Sequence, residues 1–271
     1  MEENGSSLVP RVLMLAAAVA AGGGFYYYSS IRQAPVSAPA AAVPEQPGRQ
    51  EARPSRPPLP VTLGDSDAFV RKKAGELSSS ARWAGWLGAD TLVRRFTAAV
   101  GLIAAEKSPR DSLAFLAPEK GFSVVKKGGK LCVDPKSYAR YDPLGNVVQS
   151  LDASAAAGLL DELQPLFQEA CREMDCEKEG LRAVLVRAIK ELLRTPVVDG
   201  DIRLKPKVVT YTMEDPALEG LGPAQKHLLR MGPKNVLKIQ LKLRELGKTL
   251  GVPDVELPQA PQQQVLKPVL R

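Results

Sequence analysis

The sequence predicts a mainly α-helical domain with a small antiparallel β-sheet, an α+β arrangement, placed behind an N-terminal apolar segment and a proline-rich spacer. Three observations carry that expectation. Apolar residues recur at three-four spacing in several windows, a Lys-Gly-Gly-Lys turn separates two short apolar runs, and an uncharged apolar run of 17 residues lies near the N-terminus.

That run, residues 12–28, is flanked by Arg11 and Arg32 and ends in Tyr26, Tyr27 and Tyr28. It is at the short end of what crosses a bilayer as a helix, and the tyrosines sit where an interfacial aromatic belt belongs. Residues 11–31 are therefore expected to be a transmembrane anchor behind a short segment, residues 1–10. The rival reading is a cleaved signal, with small residues near Ala38–Ala40 as the cleavage site. Arg11 before the span favours an inner-membrane, single-pass chain whose domain faces the periplasm or envelope. Residues 32–61 are expected to be an extended linker, since residues 33–61 hold eight prolines and almost no large apolar groups.

The folded domain is expected over residues 62–251. Asp65-Ser66-Asp67 offers N-cap chemistry for a short helix over 65–79. The next helix, through ADTLVRRFTAAVGLIAAE, presents Leu92, Phe96, Ala99 or Val100, and Ile103 as one stripe, with Arg94 and Arg95 off it. FSVVKKGGKLCV, residues 122–133, predicts a hairpin whose glycines supply positive φ. Residues 134–146 read as a turn region around Asp142-Pro143. A helix from about Ala153 to Met174 is capped by Asp152 and divided by Pro165. Another spans 180–194, with Leu181, Val184, Leu185, Ala188 and Leu192 on one face. KVVTYT, residues 207–212, predicts a strand paired with the hairpin. Gly232-Pro233 separates two closing helices. The tail, residues 252–271, is rich in Pro and Gln and is expected to be disordered.

Several of these segments resemble a bacterial family of membrane-anchored envelope proteins known only as domain of unknown function 3014. They are LGDSDAFVR, WLGADTLVRRF, DPKSYARYDPL with LDAS after it, and TMEDPALEGLGPAQKHLLRMGPKNVLKIQLKLREL, spanning about residues 62–250. The resemblance implies a short anchor, a Pro-rich linker and an envelope domain. It implies no substrate, cofactor or catalytic residue.

Charge gives the first candidate site. Residues 61–252 hold 30 Lys and Arg against 24 Asp and Glu, and residues 220–251 alone hold seven basic residues and one acid. The surplus of six is thus concentrated there, and Lys226, Arg230, Lys234, Lys238 and Lys242 are the expected contacts for an anion or an acidic partner. The partners expected are the membrane through the N-terminal helix, and an acidic envelope protein, anionic lipid or cell-wall polymer. A second candidate is the polar-aromatic patch Tyr138, Arg140, Tyr141 and Asp142, which a packed turn also explains.

No metal-like Cys/His spacing and no cofactor or catalytic motif is found, so no cofactor is expected and the leading expectation is a non-catalytic interaction or scaffolding module. The alternative is an enzyme of unrecognised mechanism acting on envelope material, for which His227 would need a neighbouring acid and nucleophile. A third reading is nucleic-acid binding through residues 228–239, which resemble half of a helix-hairpin-helix. Arg230 stands where that motif's first glycine belongs, and the expected envelope location argues against it. Cys132, Cys171 and Cys176 do not suggest a disulfide framework, and nothing in the sequence speaks to oligomeric state.

Overall fold

The computed structural model describes residues 59–174 and 180–264, with the side chains of residues 262–264 left aside. The expected anchor and nearly all of the linker lie outside these residues, as does Cys176. Among the described residues no helix is long and apolar enough to cross a membrane.

The first helix, α1, spans Asp67–Gly75. Its expected cap is used differently: Ser66 makes no side-chain cap bond and donates its hydroxyl to Leu63 O at 2.9 Å. Asp67 instead accepts from the Thr91 and Leu92 amides at 2.6 and 2.8 Å. A carboxylate from one helix thereby caps another, α3 (Leu92–Ala104), across the short α2 (Ala81–Trp86). Leu92, Ala99 and Val100 of the α3 stripe are buried, while Phe96 is 38% exposed and packs its ring 5.6 Å from that of Phe167.

The hairpin forms as expected. β1 (Val124–Lys127) pairs antiparallel with β2 (Lys130–Val133), and Gly128 and Gly129 turn at φ 55° and 74°. Residues 135–139 and 142–150 are helical, and only 140–141 form a turn between them. Asp134 caps α4 (Pro135–Ala139) through the Lys136 amide at 2.9 Å, and α5 (Asp142–Ser150) follows with Pro143 in its first turn. Asp-Pro suits a helix start as well as a turn, and tertiary packing selects between them. Asp152 caps α6 (Ala153–Glu162) through Ala155 N at 2.8 Å, and Pro165 opens α7 (Gln164–Glu173).

α8 (Leu181–Leu193) is the central helix, with Ile189 and Leu193 each 1% exposed. β3 (Val197–Asp199) follows, then β4 (Arg203–Pro206) and β5 (Tyr211–Met213). Here the strand expected over 207–212 is corrected. Leu204 of β4 faces Leu131 of the hairpin and Met213 of β5, and residues 207–210 form a turn closed by Lys207 N donating to Thr210 O at 2.8 Å. The alternation that fits the pleat is Ile202-Leu204, buried on the core side. Val208 and Val209 are instead left in solvent. The four-stranded antiparallel sheet has the order β1-β2-β4-β5.

α9 (Pro216–Glu219), α10 (Pro223–Leu229) and α11 (Pro233–Thr249) complete the domain. The main apolar core joins α1, α3, α6, α7 and α8, while Val133, Ile202, Leu204, Met213, Leu218 and Leu229 form a second core beneath the sheet. Gln240 of α11, 6% exposed, donates its amide to the Thr195 and Leu192 carbonyls at 2.8 and 3.1 Å, satisfying the C-terminus of α8.

Residues 252–264 of the expected tail are corrected too, while residues 265–271 lie outside the described residues. After a short 3₁₀ turn at Asp254–Glu256, Leu257 is 2% exposed within the main core, and β6 (Gln262–Gln264) pairs parallel with β3. Arg244 fixes this segment by donating to Asp254 and to the Leu257 carbonyl, at 2.9 and 3.4 Å, and Lys190 bridges to Glu256 at 3.1 Å. Composition alone suggested disorder, but one leucine in the core and backbone bonds to β3 hold residues 253–264 on the domain. Leu257→Ala is expected to cost about 2–4 kcal/mol in urea unfolding, the scale for truncating a buried leucine. A tail that only hung in solvent would give no change.

Candidate functional site

The site expected from charge is best judged by where its cations go. Lys226 pairs with Glu219 at 3.2 Å, Lys234 with Asp142 at 3.8 Å and Lys242 with Glu245 at 2.6 Å. Lys238 donates to Asn146 of α5. Further along α11, Arg244 and Lys248 both reach Asp254, at 2.9 and 3.2 Å, and together they hold its carboxyl below its ordinary range. The basic stretch is therefore concentrated in the sequence but largely matched in space by residues from α5, α9 and the tail. Of the five expected contacts, Arg230 alone makes no ion pair or side-chain hydrogen bond among the described residues.

Arg230 instead faces a different feature. A groove of about 520 Å³ opens beside the sheet, and Arg110, Arg140 and Arg230 all line it. Its apolar side is built by Val133, Ile202, Leu204, Met213 and Leu229, and Phe122, Tyr138, Val209 and Tyr211 form further parts of the wall. Among the described residues no carboxylate lines it. The structure thus joins one residue from the expected basic set with two from the expected polar-aromatic patch.

Each arginine is held by different local chemistry. Arg140, in the turn after α4, donates to the carbonyls of Ser137 and Lys120, both at 3.0 Å, and to the Tyr141 hydroxyl at 3.3 Å. Its guanidinium also lies 4.8 Å from the Tyr141 ring centroid and 5.9 Å from that of Phe122. All of these partners are neutral, so the group is oriented while its charge stays uncompensated. Arg110, in the turn that follows Pro109, and Arg230, at the end of α10, are both exposed, and neither is in an ion pair among the described residues.

The rest of the polar-aromatic patch is structural. Asp142 accepts from the Asn235 amide at 3.0 Å and faces Lys234, and Tyr141 serves Arg140. Tyr138 packs against Gly232, and burial, with lesser contributions from Asp201 and Cys132, pushes its phenol up to about 12. Tyr138 consequently stays neutral and leaves the groove's positive charge intact. Arg110, Phe122 and Tyr211 were not singled out by sequence reasoning. They lie in three separate segments, and nothing local marks them as neighbours.

His227 lies next to this region, with Nε2 2.8 Å from Ser108 Oγ. Burial, then Arg230 and Arg110, lower its pKa, so the imidazolium that a general base must form is disfavoured. No carboxylate is among the groups that shift it. Arg94 makes a bidentate pair with Glu173 at 2.6 and 2.8 Å, the solvated ion pair expected for that face. Gly232, in the segment likened to a helix-hairpin-helix, starts α11 at φ 81° with its α-carbon against the Tyr138 ring, so that turn is packed onto the domain. Cys132 is a buried free thiol, and Cys171 is buried in the main core.

Comparison with known proteins adds one finding. The model of a family described as a protein of unknown function, DUF3014, matches residues 92–247, more than half of the chain. The chain belongs to the DUF3014 family. The matched region runs from the start of α3 to near the end of α11, so it takes in the sheet, the groove and all three arginines. No curated protein and no solved structure matches this DUF3014 chain.

Proposed function

We propose that this DUF3014 protein is a non-catalytic binding module, held at the cell envelope by its N-terminal segment, that takes an anionic group attached to an apolar moiety. The observation carrying this reading is the groove in which Arg110, Arg140 and Arg230 face an apolar wall with no acid among them. Burying an anion there satisfies three cations at once, and the Leu204, Met213 and Leu229 side receives the apolar part. The lysine face of α11 is the weaker candidate because most of its charges already have partners. An acidic envelope protein, a lipid headgroup or a wall polymer could each present such a group.

The test uses the full chain in zwitterionic nanodiscs, titrated calorimetrically with 2-naphthoate and with neutral 2-naphthamide. The acid is expected to bind and the amide to bind more weakly. Arg230→Ala and Arg110→Ala should each cost about 1.5–3 kcal/mol, the value of a charged hydrogen bond, while Lys234→Ala leaves affinity unchanged. Equal binding of acid and amide, or the same loss at Lys234, would overturn the assignment.

A further inference from the structure

Among the described residues outside the tail, the β4–β5 turn carries the most exposed apolar pair. Val208 is 101% and Val209 89% exposed, at the tip of a hairpin held by the Lys207–Thr210 backbone bond. Sheet register shows what surrounds them. Leu131 lies opposite Leu204 on antiparallel strands, so the Gly128-Gly129 turn and the Val208-Val209 turn project from the same end of the sheet. Lys126, Lys205 and Lys207 stand exposed at that end and are in no ion pair among the described residues, although the charge of Lys207 reaches Glu219. Lys127 and Lys130, which flank the Gly128-Gly129 turn, are paired with Asp201 and Glu214 at 2.6 and 3.3 Å, so the unpaired charge at that end is carried by Lys126, Lys205 and Lys207.

We propose that this end of the sheet docks on an anionic bilayer surface, with Val208 and Val209 entering the headgroup boundary and Lys126, Lys205 and Lys207 resting on acidic headgroups. An exposed valine pair in water is unfavourable unless something covers it, and uncompensated lysines on either side specify an anionic cover. The hairpin tip places both features at one end of the sheet, as shallow interfacial insertion requires. The inference is independent of what the groove binds, though Val209 belongs to both and would bring the groove close to the lipid surface.

The experiment places the full chain in vesicles of phosphatidylcholine alone, or of equal phosphatidylcholine and phosphatidylglycerol, with brominated acyl chains as the quencher. Val208→Trp reports insertion, with emission from Trp83 and Trp86 subtracted using the unsubstituted chain. Val255→Trp, at a site 95% exposed on the 3₁₀ turn, is the control. Bromine is expected to quench V208W in the anionic vesicles only and to spare V255W. Adding Lys126→Gln, Lys205→Gln and Lys207→Gln should lower the docked-to-free ratio roughly a hundredfold, about fivefold for each charge near an anionic surface. Unquenched V208W in anionic vesicles would overturn the proposal. So would quenching indifferent to phosphatidylglycerol and to the lysines. A blue shift of V208W that follows protein concentration in lipid-free detergent would assign the tip to a second copy of the chain instead.

Discussion

Gly232→Ala is expected to destabilise the domain by about 3 kcal/mol or more, combining a left-handed backbone penalty with an overpacking penalty. Gly232 holds φ 81° at the break between α10 and α11, a conformation that a β-carbon strains. An added methyl would also sit 2.4, 2.6 and 2.8 Å from three Tyr138 atoms, closer than any real contact. The two penalties separate experimentally. Tyr138→Leu in the alanine background should recover part of the packing loss in urea unfolding but none of the backbone loss. A Gly232→Ala midpoint equal to the parent's would show that the turn is not pinned against the tyrosine.

Asn235→Ala should cost about 3 kcal/mol, the range for leaving several buried polar groups unpaired. Asn235 is 1% exposed, and its amide donates to Tyr138 O, Asp142 Oδ1 and Met231 O at 3.2, 3.0 and 3.0 Å. It therefore clamps α4, α5 and the start of α11 at one point, and Tyr138, whose carbonyl it holds, lines the groove. Among the described residues its Oδ1 has no hydrogen-bond partner, and a β-carbon on Gly145 would lie 2.4 Å from it, which confines that position to glycine. Asn235→Asp tests the same clamp through pH. A carboxylate there faces Asp142 and two carbonyls, so its folded pKa is raised above the unfolded value. The variant should approach the parent's stability below the ordinary carboxyl range and lose ground as pH rises through that range toward the raised value. A stability difference from the parent that is flat with pH would mean that the side chain has turned out to solvent.

These two residues also show how far the sequence could be read. Gly232-Pro233 was legible as a break between helices, because proline favours a first helical turn and glycine a left-handed position. That Tyr138, almost a hundred residues earlier, occupies the space of the missing side chain was not legible. The same division holds for the candidate site. Arg230 and Arg140 were singled out for local reasons, one as part of a basic run and one beside tyrosines. Their meeting with Arg110 and Phe122 around one groove depends on how α4, α10 and the sheet pack.

The sequence by itself determined the local structure. The three-four stripes of α3, α8 and α11, the Asp152 cap, the break at Pro165 and the Gly128-Gly129 turn all arise from interactions within a few residues, which hold in any tertiary context. Tertiary structure alone decided the partners. Asp67 caps α3 instead of its own helix, Lys234 and Lys248 of α11 find acids on α5 and in the tail, and Leu257 draws a Pro- and Gln-rich segment into the core. It also moved the outer strands to 203–206 and 211–213, because the pleat buried Leu204 and Met213 and turned Val208 and Val209 outward. Propensity is short-ranged, whereas burial and charge pairing are settled only when distant segments meet, and the groove and the hairpin tip are products of that second step.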